Sequence, residues 1–250
     1  MKTVIICGGS KGLGSASLKN ALDRGFKVIC VSRSKGNLSS EILQNPNFKL
    51  NLCDLSNEDQ RSRLVKSLSL EPNIWGLVNN TSGPATSSAE SSTDEDYLRA
   101  FETHFFAANA LVQAVLPQLK KNNGGRIINI LSVTARIPIE NMSVSNTVRG
   151  AMLNWSKTLS KELAKFNITV NNILPGYTET ERLVELVESA SVKEGISKEE
   201  YANKLIAQIP LRRFGRPEEI GSGTGFLLSA EASFINGASI PVDGGWTPSS

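Results

Sequence analysis

The run Gly8-Gly9-Ser10-Lys11-Gly12-Leu13-Gly14 is where residue type and spacing first suggest chemistry in this 250-residue chain. It follows a short apolar run, Val4-Ile5-Ile6-Cys7, and precedes a stretch whose apolar residues are spaced as on a helix. Glycines between a strand and a helix permit a tight turn and the close approach of a pyrophosphate. The helix N-terminus then presents free N–H groups to the anion. An ordinary strand-to-helix turn reads similarly, but a place at the start of a strand-helix series favours phosphate binding. Gly8, Ser10, Lys11, Gly12, Leu13 and Gly14 are therefore candidate phosphate-binding residues.

Cofactor choice is read from the segment after the second strand, Val31-Ser32-Arg33-Ser34-Lys35, which holds no acid. A nicotinamide cofactor without the 2′-phosphate usually meets an acidic residue there. Arg33 can pair bidentately with a phosphate, and Lys11 can approach the same group. This favours NADPH over NADH. The bland alternative is that Arg33 and Lys35 are solvated loop charges.

Other chemistry is limited by rare residues. The chain has one histidine, His104, and three tyrosines, Tyr97, Tyr177 and Tyr201. One histidine and no CxxC pair argue against a zinc site, and a Ser-His-Asp hydrolase is left with one possible base. The cysteines, Cys7, Cys30 and Cys53, are odd in number and make no disulfide framework. They read as buried packing residues, or as redox sensors near an adenosine pocket, in a reduced and cytoplasmic setting. Lys and Arg total 27 against 24 Asp and Glu, a net charge of +3 with no basic block. Nucleic acid and membrane surfaces are therefore not expected partners. The N-terminus lacks a signal-peptide core, and no apolar run approaches the ~20 residues of a spanning helix.

The elements that must position these residues alternate between strand and helix. Strands are expected at 4–7, 27–31, 48–52, 74–78, 126–131, 169–174 and 238–242. Helices are expected at 15–24, closed by Gly25, and at 57–70, opened by Ser56 as N-cap. Further helices are expected from Asp94 to about Lys121, bent by Pro117, then over 145–166 and 217–229. This order predicts an α/β fold, a doubly wound three-layer sandwich on a seven-stranded parallel sheet. No linker or repeat divides the chain, so residues 1–250 read as one dinucleotide-binding (Rossmann) domain. Residues 179–212 read as a charged, helical insertion over the carboxyl edge of the sheet, a candidate lid.

With these features in hand, the chain resembles the short-chain dehydrogenase/reductase family, nearest its 3-oxoacyl-acyl-carrier-protein reductase branch. The family's TGxxxGxG loop is similar to Cys7–Gly14, with Cys7 replacing Thr. Its NNAG turn is similar to Asn79-Asn80-Thr81-Ser82-Gly83, with one extra residue. Its PGxxxT segment is similar to Pro175–Thr180, and the tail matches at Ile209–Ile220 and Gly237–Gly245. The resemblance implies NADP(H) as cofactor. It adds Asp54, Leu55, Asn80, Arg149, Pro175, Gly176, Thr178 and Thr180 to the cofactor-binding residues. It also implies a homotetramer or homodimer paired through the two long helices.

The catalytic positions depart from the family. Its members use Asn, Ser, Tyr and Lys, with Tyr as proton donor. Ser132 matches the serine. The tyrosine position, thirteen residues on, holds Ser145, and the lysine position holds Arg149. Pro117 places the asparagine position at His104. A serine is a poor general acid near neutral pH, and Arg149 stays charged without shuttling a proton. His104 is either a replacement acid or a core histidine bonded to a backbone carbonyl. Tyr177 either reaches the nicotinamide side or packs against the insertion. Glu140 and Asn141 either line the cleft or are solvated.

Two readings follow. One is an NADPH-dependent carbonyl reductase, acting on a 3-oxoacyl thioester or similar ketone with a non-standard proton donor. The alternative is a weak or inactive homologue that binds NADP(H) as a sensor or oligomer subunit. Arg33→Asp is expected to raise the Kd for NADPH about tenfold or more in a fluorescence titration. Unchanged binding would remove Arg33 from the site.

Overall fold

Neighbouring residues of each central strand enter opposite cores. Ile5, Ile29, Leu77 and Ile127 belong to one apolar cluster, and Val4, Val28, Val78 and Ile128 to another. This two-residue period, with both faces apolar, is what a sheet covered on both sides requires. The computed structural model describes residues 1–248 except Ser82 and Ala85. The strands are β1 (Thr3–Cys7), β2 (Lys27–Ser32), β3 (Phe48–Leu52), β4 (Ile74–Asn79), β5 (Gly125–Ile130), β6 (Ile168–Pro175) and β7 (Ser239–Val242). They form one parallel sheet in the order β3-β2-β1-β4-β5-β6-β7.

One face carries α3 (Glu58–Leu68), α5 (Ala107–Lys121) and α6 (Ser143–Leu163). The other carries α1 (Gly12–Asp23), α2 (Ser40–Gln44) and α9 (Pro217–Leu228). This is the doubly wound three-layer sandwich expected from the element order. The strand order reverses between β1 and β4, so a crevice opens beyond their carboxyl ends. Two further helices, α7 (Glu181–Glu194) and α8 (Lys198–Ala207), pack on each other through Leu183, Val187 and Leu205. No helix among the described residues is long and apolar enough to cross a membrane.

Three local features differ from the sequence reading. The N-cap of α3 is Asn57, which accepts from Gln60 N, while the Ser56 hydroxyl turns back to Asp54. The short α2 had no periodic signal. The long helix is α4 (Asp94–Ala100), a wider π-helical turn at Phe101–Phe106, and then α5. Its irregularity falls at His104, and α5 runs through Pro117. Such wide turns are rare and concentrate at functional sites.

A row of amides crosses the middle of the sheet. Asn79, Asn129, Asn172 and Ser239 are register partners on β4, β5, β6 and β7. Asn79 Nδ2 donates to Asn129 Oδ1, Asn129 Nδ2 to Asn172 Oδ1, and Asn172 Nδ2 to Ser239 Oγ, each at 2.9 Å. Asn129 Nδ2 also donates to Ser156 Oγ on α6 at 3.0 Å. Asn129 is wholly buried, so each lost bond would strand a polar partner away from water. Asn129→Ala is expected to destabilise the fold by about 2–5 kcal/mol in urea unfolding. A change below about 0.5 kcal/mol would show that the row does not hold the sheet.

Candidate active site

The first helix begins without a cap. Lys11 holds the N-cap position of α1 with extended backbone and no side-chain cap bond, and no acid stands in the first turn. In contrast, α2, α3, α4, α7 and α8 are capped by Ser39, Asn57, Thr93, Thr180 and Ser197. The partial positive charge of α1 is thus left for something else. Gly8 (φ +62°) and Gly12 (φ +54°) are left-handed, and a Cβ on Gly14 would lie 2.0 Å from the Gly8 carbonyl oxygen. Backbone alone can line so tight a loop, which fits a pyrophosphate cradle. Asn80 Nδ2 donates to the carbonyls of Cys7 (3.2 Å) and Gly8 (3.4 Å), fixing the loop from the end of β4.

The remaining cofactor candidates surround this loop. Ser10 is buried beneath it, and its carbonyl accepts from Asn37 N. Arg33 is exposed at the end of β2. Asp54 accepts from the Ser56 hydroxyl (2.7 Å) and N–H (3.0 Å). Those bonds, with the Arg33 charge nearby, outweigh burial and hold its carboxyl below the usual carboxylate range. The Leu55 side chain belongs to the core. Pro175 ends β6. Gly176 lies so close to Asp243 that an added Cβ would come within 2.7 Å of Asp243 Cβ. Thr178 is buried, and Thr180 caps α7 beside Gly12.

Lys11 does not point freely into the crevice. Its Nζ pairs with Glu181 Oε2 at 2.5 Å, and Asn37 Nδ2 donates to Glu181 Oε1 at 3.2 Å. Arg182 Nη2 donates to the Pro84 carbonyl at 3.0 Å. The first turn of α7 therefore bridges the loops that follow β1, β2 and β4. Sequence reasoning missed Glu181, Asn37 and Arg182, because their partners are far away in the chain.

The four candidate catalytic residues gather at the carboxyl end of the sheet. Ser132 follows β5, and its Oγ accepts from Thr134 N at 3.2 Å, which leaves its O–H free to donate. Ser145 and Arg149 lie one turn apart on α6, and Arg149 Nε donates to Ser145 Oγ at 3.1 Å. Arg149 Nη1 donates to the Leu131 carbonyl. The guanidinium is 9% exposed and forms no ion pair among the described residues. Burial first, then the charge of Arg182, brings its pKa down to about 10, so it remains a cation at neutral pH.

His104 sits in the π-helical turn and shares a 2.5 Å hydrogen bond between its Nδ1 and Thr81 Oγ1. Its partner is thus a hydroxyl and not a backbone carbonyl. Burial, and then the neighbouring Arg149 charge, pushes its pKa down to about 3. The ring is neutral throughout the range in which an imidazolium would serve as an acid. A chamber of about 20 Å³, room for one water, is lined by Asn79, Thr81, His104, Leu131, Arg149 and Met152, among others. Asn79 Oδ1 has no hydrogen-bond partner among the described residues. Ser82 lies outside the described residues.

No tyrosine replaces the absent one. Tyr97 shares a 2.7 Å bond with Ser143 Oγ, Tyr177 packs edge-on against Phe214 and Trp246, and Tyr201 sits in the α7–α8 cluster. Glu140 and Asn141 are exposed. All three cysteines are buried free thiols. Burial pushes the Cys7 and Cys30 thiols up, the latter to about 11.

His104 links this site to stability. Its folded pKa lies below the ordinary 6.5, so between those values the unfolded chain binds the extra proton. Its contribution is fully present above pH 6.5 and falls as pH drops toward 3. The slope approaches about 1.4 kcal/mol per pH unit. Urea unfolding at pH 7 and pH 5 is expected to show a smaller acid loss for His104→Gln than for the unmodified chain. Equal losses would mean that the ring titrates normally.

Comparison with known proteins agrees with this geometry. A family model described as "Enoyl-(Acyl carrier protein) reductase" matches residues 8–247. The NADPH-dependent reductase BacG of Bacillus subtilis is 31% identical over 251 aligned positions, covering 98% of this chain and 97% of that protein. Among solved structures, YwfH, an NADPH-dependent reductase involved in bacilysin biosynthesis, superposes with a TM-score of 0.92 at 28% identity. That match covers 100% of this chain and 99% of the other. L-sorbose reductase from Gluconobacter frateurii, complexed with NADPH and L-sorbose, gives 0.91 at 25% identity, covering 100% and 97%. The chain belongs to the short-chain dehydrogenase/reductase family, in the group described as enoyl-(acyl carrier protein) reductase.

Proposed function

We propose that this chain is an NADPH-dependent reductase of a carbonyl compound, a 3-oxoacyl thioester or similar ketone. One observation carries the reading: an uncapped helix N-terminus stands at the same sheet edge as a buried cation that has no ion-pair partner among the described residues. Gly8, Ser10, Lys11, Gly12, Leu13 and Gly14 would hold the pyrophosphate, and Arg33 the 2′-phosphate. Asp54 and Leu55 would border the adenine, while Asn80 keeps the loop in shape. Pro175, Gly176, Thr178 and Thr180 would flank the nicotinamide, and Arg149 its ribose. The bound dihydronicotinamide would supply hydride.

The side chains of this protein then manage the carbonyl oxygen. Ser132 donates its free O–H to that oxygen, and Arg149 places positive charge beside it. Ser145 holds the guanidinium through Nε. His104 acts as a neutral ring, which can still donate a hydrogen bond. The α7–α8 segment is a lid, its first turn resting across the crevice mouth. Exposed Leu98 and Phe106 on the long helix suit pairing of two copies into a dimer or tetramer.

The test is NADPH oxidation against carbonyl compounds, with cofactor binding measured separately. Turnover is expected, and Ser132→Ala should lower kcat/KM by about 10²–10³-fold. Tight NADPH binding with no carbonyl compound reduced, saturated or conjugated, would leave only a cofactor-binding role.

A further inference from the structure

The segment after β2 lacks the acid that a cofactor without a 2′-phosphate usually meets, yet the fold brings one there from far along the chain. The loop after β2, which Arg33 begins, is seated on the glycine loop. Asn37 N donates to the Ser10 carbonyl at 3.0 Å, and a Cβ on left-handed Gly36 would lie 2.6 Å from the same oxygen. Lys11 and Asn37 thus face one spot from two loops, and a carboxylate of α7 fills it. Glu181 Oε2 pairs with Lys11 Nζ at 2.5 Å, and Glu181 Oε1 accepts from Asn37 Nδ2 at 3.2 Å. The bonds from Lys11 and Asn37 hold the carboxyl below the usual carboxylate range, so it is an anion at neutral pH.

The backbone sets Glu181 in this seat. Thr180, the N-cap of α7, stands beside the glycine loop: a Cβ on Gly12 would come within 3.5 Å of Thr180 Cγ2. Just before it, Glu179 N donates to the Gly215 carbonyl at 2.8 Å, and Gly215 N donates to the Tyr177 carbonyl at 2.9 Å. Those bonds fix the approach to the helix. Beyond its first turn α7 is tied to α8, where Glu188 pairs with Lys198 and Glu194 with Lys204. Among the described residues, the α7 side chains that make polar bonds to the loops after β1, β2 and β4 are Glu181 and Arg182.

A carboxylate in this seat treats two dinucleotides differently. A ribose 2′-hydroxyl is a donor, and it can bond to Glu181 while Lys11 stays paired. A 2′-phosphate is an anion. It repels the carboxylate at close range and takes Lys11 and Asn37 for itself, so Glu181 must leave. Both partners of the ion pair are more than half exposed, at 57% and 55%. Displacement therefore costs a few-fold in affinity and not orders of magnitude.

We propose that Glu181 is a cofactor-specificity residue: its carboxylate accepts the 2′-hydroxyl of an unphosphorylated dinucleotide, and a 2′-phosphate expels it from Lys11. Glu181 offsets part of the preference that Arg33 would give to NADPH, and it lets one pocket receive NADH as a second cofactor. This rests on the cofactor-binding reading above and on no step of the reduction.

The test is the ratio of two Kd values, for NADH and for NADPH, followed by cofactor fluorescence on the full chain. The fragments 5′-AMP and adenosine 2′,5′-bisphosphate, which differ only in the 2′-phosphate, repeat it by calorimetry. Glu181→Gln keeps the shape of the side chain and removes its charge. It is expected to tighten the phosphorylated member of each pair about threefold and to weaken the other about twofold. The ratio then rises about fivefold or more. Glu188→Gln, two turns along the same helix, removes the same charge outside the seat and is expected to leave the ratio unchanged. An unchanged or lower ratio in a folded Glu181→Gln overturns the proposal. So does an equal rise in Glu188→Gln, which would mark a general effect of charge. A chain that shows the shifted ratio and reduces no carbonyl compound loses only the reductase reading. A chain that binds neither nucleotide loses both.

Discussion

The hydrogen-bonded row Asn79–Asn129–Asn172–Ser239 constrains everything built on the carboxyl edge of the sheet. Parallel strands whose faces are all apolar can slip in register with little change in what they bury. The buried amides remove that freedom, because a displaced partner would leave polar groups unpaired. The same row reaches Ser156, whose hydroxyl donates in turn to the Met152 carbonyl. The axial position of α6 is therefore tied to strand register, and α6 carries Ser145 and Arg149. Asn79, at one end of the row, lines the chamber beside His104. The polar spine of the core and the floor of the site are one network.

On that floor a single charge sets the state of its neighbours. Arg149 forms no ion pair among the described residues, and its field helps to keep His104 neutral. The small hydroxyl at residue 145 accepts from Nε, so the exchanges at 145 and 149 work as a pair. Together they turn a position associated with proton supply into one that supplies fixed positive charge.

Much of this was legible in the sequence, and the reasons for the gaps are physical. The glycine loop, the strand-helix alternation and the two-sided apolar strands fix the sandwich, since each is a short-range pattern. The positions of Ser132, Ser145 and Arg149 followed from spacing within a resembled family. The N-cap of α3 was misplaced by one residue because Ser56 and Asn57 are both good caps, and only the Asp54 contact separates them. Helix α2 has five residues and a single buried one, too little for a period. The π-helical turn at His104 leaves the stripe of Phe101, Phe105 and Ala108 looking like an ordinary helix. The pairing of His104 with Thr81 and the isolation of Arg149 depend on long-range contacts that no local pattern encodes.

The contact of Glu181 with Lys11 and Asn37 has a consequence for ionic strength. If Lys11 holds the dinucleotide as proposed, the ligand displaces an internal carboxylate from that basic side chain. Salt weakens the attraction between phosphate and protein, but it also weakens the exposed pair that guards the entrance. The two effects oppose one another. In that binding mode the charge offered to the cofactor is partly buffered by a charge of the chain's own, and binding would respond less steeply to salt than a count of phosphate contacts implies.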